Sequence, residues 1–323
     1  MSGFFSADAP LWSVLAIAAL VFLGAGYFAK GKGKHTLRIL GWLCFAAYWP
    51  SQSYEFFYGS EPDPVNGTFT LLSPLFFGFL AYHEWQSQKW GEDPTALRWV
   101  TGTAFIAAAT YFAIYRIPGM TDLLIGSVAS QSAWLLTHGF HTPSTVVVDW
   151  SQPIESRYNI YFDNYGANAY AVTIILACTA VQSIMIFVGA IFCTKKNGAG
   201  QAAGAEAASL RSRQWKALAY TAPPIYLLNL FRVAGVAWGY KVAAITCCGF
   251  DTFEFMHSYV GKGGSLLALI LIALMVFKTL PELHQNILDL FDLPKRRKPG
   301  FFNPAPLVAS AVGAAAPQPS KGE

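Results

Sequence analysis

The 323-residue chain is 54% hydrophobic and 12% charged, where a soluble domain carries about a quarter charged residues. The net charge of +4 is small and gathers in the connections, which excludes a nucleic-acid binder. The apolar runs are continuous rather than alternating, which excludes a transmembrane β-barrel. The expected fold class is all-α: a polytopic transmembrane helical bundle, with about seven or eight membrane helices at roughly 20 apolar residues per crossing.

A first crossing spans 11–29, with no basic region ahead of it, so it does not resemble a cleaved signal peptide. The basic loop Lys30, Lys32, Lys34 and His35 follows and reads as cytoplasmic. A second crossing runs over 37–57 with Pro50 inside it. The next connection holds Glu61 and Asp63 and reads as external. Further crossings are expected at 69–82 and 99–115, around a mixed-charge loop over 84–98.

The apolar segment 123–140 carries serines, Gln131 and His138, and either spans or lies re-entrant. Residues 141–166 form the longest polar connection and suggest either a folded external cap or the substrate vestibule. Three crossings are then expected at 170–192, 218–239 and 260–280. Between the first two, Lys195 and Lys196 lead through a Gly/Ala-rich linker to Arg211, Arg213 and Lys216, again a cytoplasmic signature. An amphipathic piece over 281–291 suits the inner surface.

Residues 1–293 therefore form one membrane domain, with its polar motifs in a core over 170–280. Residues 294–323 form a basic, then Ala/Pro-rich, cytoplasmic tail, expected to be disordered. The basic loops fit a chain whose N-terminus is outside if 123–140 does not cross. If it does cross, both termini lie inside and the Lys30–Lys34 loop is external.

Five cysteines (Cys44, Cys178, Cys193, Cys247 and Cys248) show neither CxxC spacing nor a Cys/His metal pattern. No metal or cofactor is expected. Three other polar groups stand out against their apolar setting. Cys178 lies in Ala177-Cys178-Thr179-Ala180-Val181-Gln182-Ser183. Arg232 lies in Tyr226-Leu-Leu-Asn229-Leu-Phe-Arg232. His257 lies in Phe253-Glu254-Phe-Met-His257-Ser-Tyr259.

A cationic side chain at membrane depth costs about 2.5–3.5 kcal/mol on insertion scales and marks a functional site by default. At 1.5 Å per residue, Cys178 falls ~12 Å down a helix starting at Tyr170, and Arg232 ~10 Å from the outer end of its own. The expectation is one site in the outer half of the bilayer. Gln182 and Asn229 lie one helical turn from Cys178 and Arg232, on the same faces, suited to orienting them or binding a peptide backbone.

The Cys178–Ser183 run, the Pro224–Arg232 run, the Glu254–Lys262 segment and Leu280-Pro281-Glu282-Leu283 resemble the exosortase/archaeosortase family. The motif-bearing resemblance covers roughly 170–293; the helices before it match only in being apolar. It implies a membrane cysteine transpeptidase with Cys178 as nucleophile and Arg232 stabilising thiolate and oxyanion. His257 takes the third, acid/base position, with Lys262 as its rival. Gln182, Ser183, Asn229 and Tyr259 become candidates for binding substrate. The implied partners are an exported protein with a C-terminal sorting signal and a lipid headgroup acceptor at the cytoplasmic membrane. From another class, a transporter or channel with Arg232 binding an anion predicts internal helix repeats, and none is visible.

Overall fold

The computed structural model describes residues 10–31, 33–59, 63–162, 170–195, 204–242 and 255–297. Glu61, Lys32, Lys196, Cys247, Cys248, Glu254 and the tail beyond Arg297 lie outside the described residues. The helices are α1 (Pro10–Phe28), α2 (Gly33–Tyr58), α3 (Pro64–Trp90), α4 (Thr95–Arg116) and α5 (Met120–His138), then α6 (Val181–Cys193), α7 (Gly204–Val242), α8 (Lys262–Thr279) and α9 (Pro281–Phe291). A π-helical turn, Phe255–Gly261, runs directly into α8.

By length and composition, three helical stretches suit a membrane crossing: Pro64–Trp90, Thr95–Arg116 and Phe255–Thr279. Val14–Phe28 and Val181–Cys193 are apolar but shorter. The expectation of seven or eight crossings is thus met only in part among the described residues. The class is mostly helical, but not purely so. Strands β1 (Ser144–Val148), β2 (Tyr158–Phe162) and β3 (Tyr170–Ile174) form an antiparallel sheet in the order β1-β2-β3.

That sheet overturns the single helix expected over 170–192. Tyr170-Ala-Val-Thr-Ile174 is β-branched and aromatic, and it pairs with β2. Along β2, Tyr158, Ile160 and Phe162 are buried in alternation. They pack with Ile125 and Val128 of α5 and Val233 and Ala234 of α7. A pleated strand burying one face gains more here than a helix would. The Gly/Ala-rich linker is shorter than its composition suggests, because α7 already begins at Gly204 and its first turns are alanine-rich.

Charge sorts to one end of the bundle. Lys34 binds Asp93 at 2.6 Å, and buried Arg38 donates to Asp93 at 2.9 Å and to the Gly26 carbonyl at 3.0 Å. Buried His35 meets buried Glu84 at 2.6 Å. Arg213 of α7 forms a fork with Glu282 of α9 at 2.8 and 2.6 Å. Arg296, just past α9, donates to Ser87 and Glu92 and lies over Trp90. The opposite end carries the sheet. There Asp122 at the start of α5 binds Arg157 at 2.7 Å, and Thr137 near its other end accepts from the Ser144 N–H at 3.1 Å. Near its two ends α5 thus contacts Arg157, just ahead of β2, and Ser144 of β1.

Helices α4 and α6 approach closely through small residues. A Cβ on Gly189 would sit 2.7 Å from the Thr103 carbonyl oxygen. Such contacts let apolar helices pack where lipid removes the hydrophobic drive between them.

Candidate functional site

The chain leaves β3 at Ile174 and turns sharply before entering α6. Leu176–Thr179 is one 3-10 turn, closed by the Cys178 N–H donating to the Ile175 carbonyl at 2.9 Å. Thr179 braces it, its hydroxyl donating to the Leu176 carbonyl at 2.6 Å. Ala180 then adopts φ 61°, ψ −3°, the left-handed region, and α6 starts at Val181. For a residue with a Cβ this conformation costs roughly 1–2 kcal/mol and persists only where packing dictates it.

Cys178 is therefore not a helical turn deep within a crossing, as the sequence suggested. It sits on the turn ahead of α6, where the helix N-terminus presents partial positive charge and favours an anion.

Helix α7 holds the turn from the other side. The Asn229 side-chain N–H2 donates to the Cys178 carbonyl at 2.6 Å, and Asn229 is only 9% exposed. Pro223 and Pro224 lie within α7, just ahead of this polar stretch, and each removes a backbone donor. Arg232 lies nearly one turn beyond Asn229, half-buried, with no ion-pair partner among the described residues. Both line a cavity of about 520 Å³ together with Gln182 and Ser183 of α6. Among the described residues no carboxylate lines it, and Arg232 is the charged group there.

Ala177 and Ala180, on either side of Cys178, also line this cavity. Cys178 itself is half-buried and packs against the apolar cluster beneath the sheet.

The third segment meets the same cavity through Met256, Val260 and Gly261 of the π-helical turn. His257 is half-buried on that turn, adjoining the lining residues without being one of them. Lys262 forms an ion pair with Asp63 at 2.5 Å, which ties the start of α8 to the start of α3. That bond gives Lys262 a structural task. Tyr259 is 46% exposed, stacks on Phe255 and is not among the cavity's lining residues. Gln182, Ser183, Asn229 and Arg232 are thus brought together, and Tyr259 and Lys262 are not.

Two features escaped the sequence reading. One is the strained Ala180, for which an alanine gives no local signal. The other is a second cavity, of about 430 Å³, that shares Ala177 and Gln182 with the first. It is walled by α2, α3, α4 and α5, and Glu55 is its carboxylate among the described residues. Glu55, near the end of α2 and beyond its apolar middle, was the available clue.

Among the described residues no cluster of three His, Cys, Asp or Glu could hold a metal ion. Fold and site together define a helical membrane protein with a cysteine-bearing turn set against an arginine-lined pocket. Over 232 residues the chain is 26% identical to archaeosortase A of Haloferax volcanii, covering 68% of this chain and 70% of that protein. The two are distant relatives. No family model matches the chain, and no solved structure does.

Proposed function

We propose that the chain is a membrane cysteine transpeptidase that cuts a C-terminal sorting signal from an exported protein and passes the new C-terminus to a membrane lipid. The observation that carries this reading is the Asn229–Cys178 bond. It ties the cysteine-bearing turn ahead of α6 to Asn229, which lies nearly one turn along α7 from Arg232, an arginine without a carboxylate partner among the described residues.

In the first step the Cys178 sulfur bonds to the scissile carbonyl carbon. The C–N bond breaks, and the departing amine takes a proton from His257. Arg232 and the backbone N–H groups opening α6 stabilise the charge on the carbonyl oxygen. In the second step the lipid headgroup loses a proton to His257 as its oxygen or nitrogen bonds to the same carbon. The C–S bond then breaks and the thiolate is restored. The apolar walls exclude water and favour transfer over hydrolysis.

The orientation that supports this chemistry puts the basic end in the cytoplasm and the sheet outside. Then α1, α2, α3, α4, α6, α7 and α8 cross, α5 stays in the external cap, and the N-terminus is outside. Seven crossings of this kind require α6, of 13 residues, to be completed by its flanking turns. The test is expression of Cys178→Ala beside a tagged exported protein bearing a C-terminal signal of the Pro-Gly-Phe type. The tagged protein should keep its signal and run unshifted on a gel. Normal processing in the variant would refute the reading.

A further inference from the structure

At the end of α6 away from the Cys178 turn, two cations stand close together without a carboxylate partner among the described residues. Helix α6 has 13 residues, so at the usual rise this end is about 20 Å from the turn. Three apolar helices stop or start here: α1 ends at Phe28, α6 ends at Cys193, and α4 begins at Thr95. A Cβ on Gly102 would sit 2.5 Å from the Tyr27 ring and 2.6 Å from the Cys193 sulfur, so the three helices touch at that point. Arg98 lies one turn before Gly102 on the same face of α4, and its guanidinium lies over the Tyr27 ring at 5.6 Å. Lys195 follows Cys193 by two residues. The chain leading to it is pinned by Gln214, which donates to the Ile191 and Thr194 carbonyls at 3.0 Å each.

The carboxylates at this end are already engaged. Glu84 meets His35 and Arg38, Asp93 meets Lys34 and Arg38, Glu92 meets Arg296, and Glu282 meets Arg213. Arg211 and Lys216 are exposed, where water solvates a charge. Arg98 differs, because its Nε is buried and makes no hydrogen bond. An unmet N–H on a buried charged group is costly. The Lys195 ammonium, just beyond α6, is held below the ordinary lysine value, first by burial and then by the Arg98 guanidinium. An anion bound by both would relieve both penalties. Stacking on Tyr27 uses the face of the guanidinium and leaves its edge N–H groups for the two-pronged contact that phosphate oxygens accept.

The surroundings point to the source of that phosphate. Phe28, against Tyr27, is 69% exposed, and Trp215, against Phe192, is 56% exposed. Aromatic side chains exposed where apolar helices end mark the headgroup layer of a membrane. We infer that Arg98 and Lys195 bind the phosphate group of an anionic phospholipid in the leaflet at the basic end, against Tyr27 and between α1, α4 and α6. Inorganic phosphate offers the same oxygens, and the test separates the two sources. This lipid is neither substrate nor acceptor, and the inference holds whether or not the chain is a transpeptidase.

The full chain is purified in a neutral detergent and mixed with phosphatidylglycerol or phosphatidylcholine of the same acyl chains, or with millimolar inorganic phosphate. Bound lipid is counted by native mass spectrometry, and melting temperature is recorded in parallel. Phosphatidylglycerol should be retained more than phosphatidylcholine and should raise the melting temperature, and inorganic phosphate should do neither. Arg98→Gln and Lys195→Gln should each weaken retention about fivefold, the effect of one cation on an anionic lipid. Lys216→Gln, with the same charge loss on the exposed surface, should not. If Arg98→Gln fails to fold, Lys195→Gln, on the chain beyond α6, carries the test alone.

Equal retention of the two lipids, retention unchanged in Lys195→Gln, or an equal loss in Lys216→Gln would each overturn the site. A melting shift with inorganic phosphate that matches the one with phosphatidylglycerol would overturn the lipid as its source.

Discussion

Replacing Asn229 by Ala removes the bond that fixes the Cys178 turn. The bond is 2.6 Å long and Asn229 is 9% exposed, so water does not simply replace the lost donor. Leaving a buried carbonyl without its partner costs about 1–3 kcal/mol. The second consequence is positional. A turn already carrying left-handed strain at Ala180 has less reason to keep its shape, and a shift of about 1 Å at a reacting group can reduce rate about 100-fold. Asn229→Asp should be worse still, since it sets a carboxylate against the Cys178 carbonyl oxygen and puts a negative charge near Arg232. The assay pairs thermal unfolding of the purified protein with the processing rate of a tagged substrate. Asn229→Ala should lose both stability and most of the rate. An Asn229→Ala protein that melts and processes like wild type would refute the reasoning.

Further outcomes follow from other contacts. Ala180→Gly should be tolerated, whereas Ala180→Val, β-branched in the left-handed region, should lower stability by about 2 kcal/mol, read by the same unfolding measurement. Gly189→Leu should separate α4 from α6 and reduce the yield of folded protein on size-exclusion chromatography, because even a Cβ would meet the Thr103 carbonyl. Lys262→Met should lower stability through loss of the Asp63 pair while leaving more processing activity than Arg232→Met does.

At Asp93 burial pushes the carboxyl up, but the Lys34 bond and the Arg38 charge outweigh it and hold it below the ordinary carboxylate value. A depressed value in the folded state stabilises above the unfolded value, near 3.9, and that contribution fades as pH falls through the folded one. The melting difference between wild type and Asp93→Asn should therefore shrink below about pH 4.

Several elements were legible because composition alone decides them. The amphipathic stretch over 281–291 matches α9, and the expected cap over 141–166 contains β1 and β2. The failure over 170–192 has a physical cause: strand, turn and helix are all apolar there, and their sum has the length of a crossing. Periodicity does not separate a buried strand from a buried helix in a run so short.

The pairing of Lys262 with Asp63, and of His35 with Glu84, was illegible for a different reason. Each joins groups far apart in the chain, and nothing local to Lys262 tells an ion pair from a catalytic role. Within the site, Cys178, Asn229 and Arg232 could be picked out because polar groups in apolar runs are rare. How the backbone presents Cys178 could not, since it depends on the sheet that precedes it.

The central claim is that the Cys178 sulfur carries the substrate's acyl group during transfer. Intact-mass spectrometry of the full chain, purified quickly after co-expression with a signal-bearing substrate, measures this directly. The account predicts an added mass equal to the substrate's trimmed chain, located on Cys178 and released by neutral hydroxylamine. Substrate processing with no such adduct under any trapping condition, or an adduct that persists in Cys178→Ala, would contradict it.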